Sequence, residues 1–162
     1  MGDHAETIQI DYDPSKISYA ELLEVFWSSH DPTRPAWKRQ YMSAIFFNNE
    51  EQKRLALETR DRKATAVQKK IYTEIIPFAE FYLAEDYHQK YYLQQVPELK
   101  REFRTIYSAV QDFTNSTAAA RVNGYVDGYG SPAKLKTEID DLGLSPAGKK
   151  ALLERVRVLR PL

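Results

Sequence analysis

The fold is decided by residues 41–76, which read YMSAIFFNNEEQKRLALETRDRKATAVQKKIYTEII. Tyr41–Phe47 is short and rich in aromatic and β-branched residues, which is typical of a buried strand. Asn49 and Gln52 have the spacing of a helix N-terminal cap, so a charged, largely solvated helix is predicted to follow them. Ile71–Ile76 is a second short apolar run and predicts another strand. This stretch therefore predicts a strand, a helix and a strand in succession.

The residues before this stretch add one strand and one helix to the prediction. Thr7–Tyr12 alternates apolar and polar residues, which predicts a half-buried strand. Ser18 stands three residues before Glu21, the spacing of a capping box. An apolar stripe at helical intervals follows, and its members are Leu22, Leu23, Phe26 and Trp27. The first part of the chain is therefore expected to be a βαβαβ core.

The residues after this core show only helical spacing. Helical periodicity resumes near Glu98, Ser116 can cap a later helix, and Ser131-Pro132 places a proline at the first position of another helix. The predicted fold class is α+β. We divide the chain into a core of residues 1–107 and a helical C-terminal extension of residues 108–162.

Composition excludes several classes of function. The chain has 162 residues, with 23 basic and 23 acidic residues and no net charge, so strong nonspecific binding to nucleic acid or to acidic membranes is not expected. No apolar run has the roughly 18 residues that a membrane-spanning helix needs, and residues 1–6 lack the pattern of a secretory signal, so a cytoplasmic protein is expected. The sequence contains 0 cysteines, which excludes any thiol chemistry by its own residues.

Several motifs resemble the A-type peptide-methionine (S)-sulfoxide reductases, the methionine sulfoxide reductase A family. The blocks that carry the resemblance occur in the family's order over about 90 residues. They are His4-Ala5-Glu6, Ile17-Ser18-Tyr19, Leu22-Leu23, Phe26, His30-Asp31-Pro32, Gln40-Tyr41, Ser43-Ala44-Ile45 and Ala84-Glu85-Asp86-Tyr87-His88-Gln89. The resemblance implies the distal part of that family's ferredoxin-like α/β roll, followed by a helical C-terminal extension.

The resemblance also identifies what this sequence lacks. Members of the family attack the substrate with a cysteine in a Gly-Cys-Phe-Trp segment that precedes the Gly-His-Ala-Glu block, and the present sequence begins almost at His4. Thr33–Arg39 is shorter than the family's usual loop and lacks its aspartate. We therefore expect an N-terminally truncated member that is inactive by itself.

Two residues match the family's catalytic positions. Reduction of a sulfoxide needs an acid that gives a proton to the leaving oxygen and hydroxyl groups that donate hydrogen bonds to it. The resemblance assigns the acid to Glu6 and one hydroxyl donor to Tyr41. It implies no cofactor, with thioredoxin or a dithiol as the reductant. The three histidines have no ligand spacing, so no metal site is expected.

Three classes of function remain open. The chain is part of a reductase that repairs oxidised methionine in proteins, a module that binds methionine sulfoxide without reducing it, or a protein-interaction domain. The expected partners are methionine sulfoxide in peptides or proteins, thioredoxin if the cysteine-bearing segment exists, and a second copy or an N-terminal half in trans. Nucleic acid and membranes are not expected partners.

Overall fold

The computed structural model describes residues 4–159 and divides the chain into two compact units, Met1–Phe81 and Tyr82–Leu162. The architecture is α+β with a helical C-terminal region, as predicted from the sequence. The division of packing differs from the predicted division into residues 1–107 and 108–162, because the helices that begin after residue 90 share a core with those that follow. The predicted boundary thus lies inside the second unit.

The first unit is built on two parallel strands and two helices. β1 (Ala44–Phe47) pairs with β2 (Glu74–Pro77), with Ala44 opposite Glu74 and Phe47 opposite Pro77. α2 (Glu50–Val67) connects the two strands, as parallel pairing requires. α1 (Tyr19–Ser28) precedes them. The predicted strand-helix-strand unit is confirmed, although both strands begin three residues later than the sequence pattern indicated.

Both predicted helix caps are present in the first unit. The Ser18 hydroxyl accepts a hydrogen bond from the Glu21 amide at 3.2 Å, and the Glu21 carboxylate accepts one from the Ser18 amide at 2.8 Å. The Asn49 side chain accepts a hydrogen bond from the Gln52 amide at 2.9 Å. These contacts satisfy amide groups that have no partner inside the helix. The apolar stripe of α1 then reaches a shared core, whose buried members are Leu23, Trp27, Ile45 and Ala56.

The strand predicted at Thr7–Tyr12 is wrong. These residues form no strand, and the exposed fractions of Ile8 and Ile10 are 81% and 54%. Alternation of apolar and polar residues favours a strand only where a neighbouring strand supplies hydrogen bonds and a core covers one face. The described residues provide neither at this position. The predicted βαβαβ core is therefore reduced to the βαβ unit preceded by α1.

Helices make up the regular secondary structure of the second unit in its described residues, and they begin at residue 91. Its helices are α3 (Tyr91–Gln94), α4 (Pro97–Ile106), α5 (Val110–Asn115), α6 (Thr117–Val126), α7 (Pro132–Glu138) and α8 (Pro146–Leu159), with a 3₁₀ turn at Ile139–Leu142. Their largest fully buried side chains include Phe103, Leu93, Leu99, Leu135 and Leu152. The predicted cap at Ser116 is confirmed, since its hydroxyl accepts a hydrogen bond from the Ala119 amide, and Pro132 begins α7 as predicted.

A partly buried polar network joins α6 to α7. The Tyr125 hydroxyl donates a hydrogen bond to the Glu138 carboxylate, and Arg121 pairs with the same carboxylate at 2.9 Å. Gly130 packs against the ring, because a Cβ there would lie 2.6 Å from Tyr125 Cε1, and its φ of +79° also favours glycine. Burial, followed by the hydrogen bond to Glu138, raises the pKa of Tyr125 to about 12.

The raised pKa predicts a loss of stability in alkali. The unfolded chain releases the Tyr125 proton near its ordinary pKa of 10.0, whereas the folded chain keeps it until about 12. The free energy of unfolding should therefore fall as the pH rises through this interval.

Tyr125→Phe should lower the free energy of unfolding by about 1.5–3 kcal/mol near neutral pH, because the lost hydrogen bond is to a charged group. The variant should also lack this part of the alkaline loss. Urea denaturation at about pH 8 and pH 11 measures both effects. The exposed Tyr129→Phe serves as control, and equal alkaline losses in wild type and Tyr125→Phe would contradict the assignment.

Candidate functional site

Glu6 is held beside the turn that precedes β1. Its amide donates a hydrogen bond to the Gln40 carbonyl at 2.8 Å, and the Gln40 side-chain amide donates one to Glu6 Oε1 at 3.3 Å. Glu6 is exposed to solvent, and the residues on either side of it form neither helix nor strand. These two contacts bridge 34 positions of sequence. The Glu6 carboxylate is thus fixed by one residue of the turn rather than by a strand.

Tyr41 ends the same turn. Arg39–Tyr41 is a single 3₁₀ turn, in which the Tyr41 amide donates to the Lys38 carbonyl at 3.1 Å. Two residues later the Ser43 carbonyl accepts a hydrogen bond from the Glu74 amide, so the turn is anchored to the parallel pair of strands. Because Gln40 binds Glu6 and adjoins Tyr41, Glu6 lies against the turn that ends at Tyr41. Their catalytic roles stay predictions.

The loop between α1 and this turn places an aromatic side chain beside Tyr41. The rings of Trp37 and Tyr41 stack with their centroids 5.1 Å apart and an interplanar angle of 28°. The Lys38 ammonium lies 4.7 Å from the centroid of the Trp37 ring. Sequence reasoning did not single out Trp37. The available signal was a large aromatic residue in a polar, proline-containing loop, where tryptophan is uncommon.

His30 has a structural role at the end of α1. Its Nδ1 donates to the Phe26 carbonyl at 3.0 Å, and its Nε2 lies 3.4 Å from the Thr73 hydroxyl. This agrees with the general preference for histidine near a helix C-terminus, where carbonyl groups lack partners inside the helix. His30 therefore joins α1 to the segment that leads into β2. Each of its two ring nitrogens has a contact partner.

The Ala84–Gln89 motif forms a turn in the second unit. The Gln94 side chain donates hydrogen bonds to the Asp86 and Gln89 carbonyls at 2.7 Å and 2.6 Å. His88 packs against the Tyr87 ring, with centroids 4.3 Å apart. The contacts that shape this motif are thus mainly hydrogen bonds to its backbone.

Neither a metal site nor a membrane span is evident in residues 4–159. These residues contain no group of three or more histidine, cysteine, aspartate or glutamate side chains that could hold a metal ion. Within the same range, no helix combines the length and the apolar character needed to cross a bilayer. The side chains at the turn and in contact with it supply a carboxylate, a phenol, an ammonium group and an indole ring.

The family models and the known proteins that match this chain are all described as methionine sulfoxide reductases. A family model described as peptide methionine sulfoxide reductase matches residues 1–121, and one described as the helical domain of selenoprotein methionine sulfoxide reductase A matches residues 111–150. Peptide methionine sulfoxide reductase of Drosophila melanogaster is 41% identical over 156 residues, which cover 93% of this chain and 61% of the relative.

Two further relatives cover different shares of the chain. Peptide methionine sulfoxide reductase MsrA of Methanosarcina acetivorans is 48% identical over 96 residues, covering 55% of this chain and 51% of the relative. Peptide methionine sulfoxide reductase A5 of Oryza sativa subsp. japonica is 37% identical over 151 residues, covering 88% of this chain and 59% of the relative. The chain thus matches between 51% and 61% of the length of these three relatives.

Proposed function

The chain belongs to the peptide methionine sulfoxide reductase family, and on that premise we propose that it supplies the acid and a hydroxyl donor for the reduction of methionine sulfoxide in proteins. The observation that supports this proposal most directly is the contact of Gln40 with Glu6, next to Tyr41. Glu6 is thereby held against the turn that contains Tyr41, although the two residues are far apart in sequence. The biological role would be the repair of oxidative damage to methionine.

The chemistry requires a proton donor and a nucleophile. In the overall reaction a sulfoxide and a dithiol give a thioether, a disulfide and water. A thiolate attacks the sulfoxide sulfur, and the sulfoxide oxygen must gain protons before it can leave as water. Glu6 would deliver a proton to that oxygen as a general acid. The Tyr41 hydroxyl would donate a hydrogen bond to the oxygen as negative charge develops on it.

The nucleophile has to come from outside these 162 residues. The sequence contains 0 cysteines, and neither serine nor tyrosine replaces a thiolate in this reaction at neutral pH. We propose that the thiolate is supplied by a polypeptide segment with the Gly-Cys-Phe-Trp sequence and becomes bonded to the substrate sulfur as the oxygen leaves as water. One thiol of thioredoxin or of a small dithiol then attacks the cysteine sulfur and releases the thioether, and its second thiol breaks the mixed disulfide, so that the cysteine is regenerated and the reductant leaves as its disulfide. A location in the cytoplasm would suit such a dithiol reductant.

The exposed segment at residues 7–12 favours the proposal that a partner segment binds this chain. Ile8 and Ile10 are large apolar residues that solvent reaches, and the backbone around them belongs to no strand. An apolar segment with free backbone groups is suited to pairing with another strand. The same segment leads directly from Glu6, so a strand added there would arrive beside the proposed acid. A second copy of the chain is the competing occupant.

The isolated chain should not reduce methionine sulfoxide. With dithiothreitol as reductant, no methionine should form from free or peptide-bound methionine sulfoxide beyond the uncatalysed background, because the covalent step lacks its nucleophile. Chromatography of the products gives the measurement. A parallel assay with Glu6→Ala controls for contaminating reductase from the expression host. Stoichiometric methionine formation that Glu6→Ala abolishes would contradict the proposal.

The alternative is a module that binds without catalysis, as a methionine-sulfoxide-binding or protein-interaction domain. The lack of cysteine in a chain that retains Glu6 and Tyr41 favours it. This alternative expects a methionine sulfoxide peptide to bind the chain alone, more weakly after Tyr41→Phe, with no turnover after a cysteine-bearing segment is added. The reductase proposal expects turnover in that mixture, so the two are separated by one assay.

A further inference from the structure

A recess between α4 and α5 of the second unit has apolar, largely aromatic walls. Its volume is about 350 Å³, and its lining includes Phe103, Tyr107, Val110 and Phe113. Val110 is 48% exposed, and Tyr107 and Phe113 are half-buried, so part of this apolar surface faces solvent. Pockets for small molecules have about 300–1,000 Å³ and mainly apolar linings. The α4–α5 recess therefore has the size and the walls of a site for a small ligand.

Packing around the buried Phe103 ring fixes the walls of the recess. Residues 107–109 join α4 to α5. The Phe103 ring stacks on the Tyr107 ring and meets the Phe113 ring edge-on, with centroids 6.1 Å apart in both pairs. The Tyr107 hydroxyl also accepts a hydrogen bond from Ser116 at 2.8 Å. A ligand would thus meet walls that are already ordered, which lowers the entropic cost of binding.

Two cations lie on the α4 side of the recess. Lys100 and Arg104 both belong to its lining and stand one helical turn apart, so they share a face of α4. Arg101 of the same helix pairs with Glu98 at 3.7 Å, whereas neither Lys100 nor Arg104 forms an ion pair with any residue that the structure describes. Asp86 is the acidic residue of the lining. The recess thus keeps a net positive charge, which favours an anionic ligand.

A carboxylate joined to an aromatic ring by a short chain has the complementary pattern of groups. A guanidinium binds a carboxylate through two parallel hydrogen bonds, and an ammonium adds a further charge-assisted one. An aromatic ring packs favourably against the rings of Tyr107 and Phe113. Inorganic phosphate would also suit the cations, but it has no apolar surface to bury against the walls. Cations and walls together therefore select an aromatic carboxylate.

We propose that the α4–α5 recess binds a small aromatic carboxylate, with the carboxylate on Lys100 and Arg104 and the ring against the aromatic walls. The recess belongs to the second unit, whereas Glu6 and Tyr41 belong to the first. The inference therefore goes beyond the proposed function and does not depend on it. It assigns a ligand-binding role to two cations that the reduction of methionine sulfoxide does not use.

The direct test is a nuclear magnetic resonance titration of the full chain with 3-phenylpropionate. The amide signals of residues 108–110, which line the recess, report on binding. One control is 3-phenylpropan-1-ol, which has the ring without the charge, and the other is propionate, which has the charge without the ring. We expect saturable shifts with 3-phenylpropionate and affinities about tenfold weaker, or less, for both controls.

Variants separate the charge from the walls. Arg104→Gln should weaken the binding of 3-phenylpropionate about tenfold, because the bidentate partner of the carboxylate is lost. Arg104 is exposed, so this substitution should leave the fold intact. Phe113→Leu keeps an apolar side chain but removes a ring, and should weaken binding about threefold. Arg101→Gln is the matched control, since it removes a charge from the same helix but outside the lining, and it should leave binding unchanged.

Three outcomes would overturn the assignment. The first is the absence of a saturable shift with 3-phenylpropionate, and the second is equal binding of the alcohol and the carboxylate. The third is equal affinity of Arg104→Gln and Arg101→Gln. Tighter binding of N-acetyl-glycyl-phenylalanine would identify the occupant as the carboxyl end of a peptide and would also overturn the proposal of a free small molecule. The reductase proposal is judged separately, by turnover with a cysteine-bearing segment.

Discussion

Glu6→Gln should abolish most of the sulfoxide reduction that the chain supports when a cysteine-bearing partner segment is present. General acid catalysis contributes about 10²–10⁴-fold to enzymatic rates, and the glutamine side chain keeps the shape of glutamate without an ionisable proton. The Gln40 amide can still donate to the remaining carbonyl oxygen, so the contact seen at 3.3 Å is preserved. The rate of methionine formation in the mixture, at saturating peptide sulfoxide, measures the effect.

Two further variants, one control and one comparison, show whether the effect is specific to Glu6. Asp11→Asn neutralises another exposed carboxylate of the same segment, one that accepts a hydrogen bond from Gln9 at 3.4 Å, and should leave the rate unchanged. Tyr41→Phe removes one hydrogen-bond donor and should cost less than Glu6→Gln, because proton transfer from Glu6 to the sulfoxide oxygen remains possible. A Glu6→Gln rate within about twofold of wild type would remove Glu6 from the chemistry.

Phe103→Ala should strongly destabilise the second unit. Phe103 is fully buried in α4, between the rings of Tyr107 and Phe113, whose centroids each lie 6.1 Å away. Replacing a buried phenylalanine by alanine costs about 3–5 kcal/mol, from lost burial and from the cavity that remains. This is a large part of the roughly 5–15 kcal/mol by which domains are stable. Urea denaturation followed by far-ultraviolet circular dichroism gives the change in free energy of unfolding.

Ile106→Ala is the matched control for this prediction. Ile106 lies on the same helix, but 42% of its surface is exposed. The substitution should therefore cost much less than a buried truncation, within about 1 kcal/mol. Equal effects of the two substitutions would mean that the second unit is not organised around Phe103. Because both tryptophans belong to the first unit, their fluorescence reports on that unit separately during the same titration.

Local signals in the sequence predicted local structure well. The caps at Ser18 and Asn49 were predicted because their hydrogen bonds join residues three positions apart, and such contacts need no distant partner. The strand at Thr7–Tyr12 was wrong for the opposite reason. A strand depends on hydrogen bonds from another segment, and alternation within six residues does not show whether that segment is present.

The candidate site was predictable only in part. Glu6 and Tyr41 were identified by the resemblance to a family, and no periodicity of the sequence would have joined them. Gln40, which connects them, makes its contact through a backbone carbonyl and a side-chain amide across 34 positions. Trp37 was missed because its stacking on Tyr41 depends on the course of an irregular loop. Such courses are set by tertiary contacts and leave little pattern in the sequence.

Reconstitution in trans tests the central claim most directly. The chain is mixed with a separate family segment that carries Gly-Cys-Phe-Trp, and methionine formation from a methionine sulfoxide peptide is followed with dithiothreitol as reductant. The account predicts a rate in the mixture far above the sum of the rates of the two components, and its loss when Glu6→Gln chain is used. A stable complex with an intact cysteine, but with no turnover above that of the added segment alone, would contradict it.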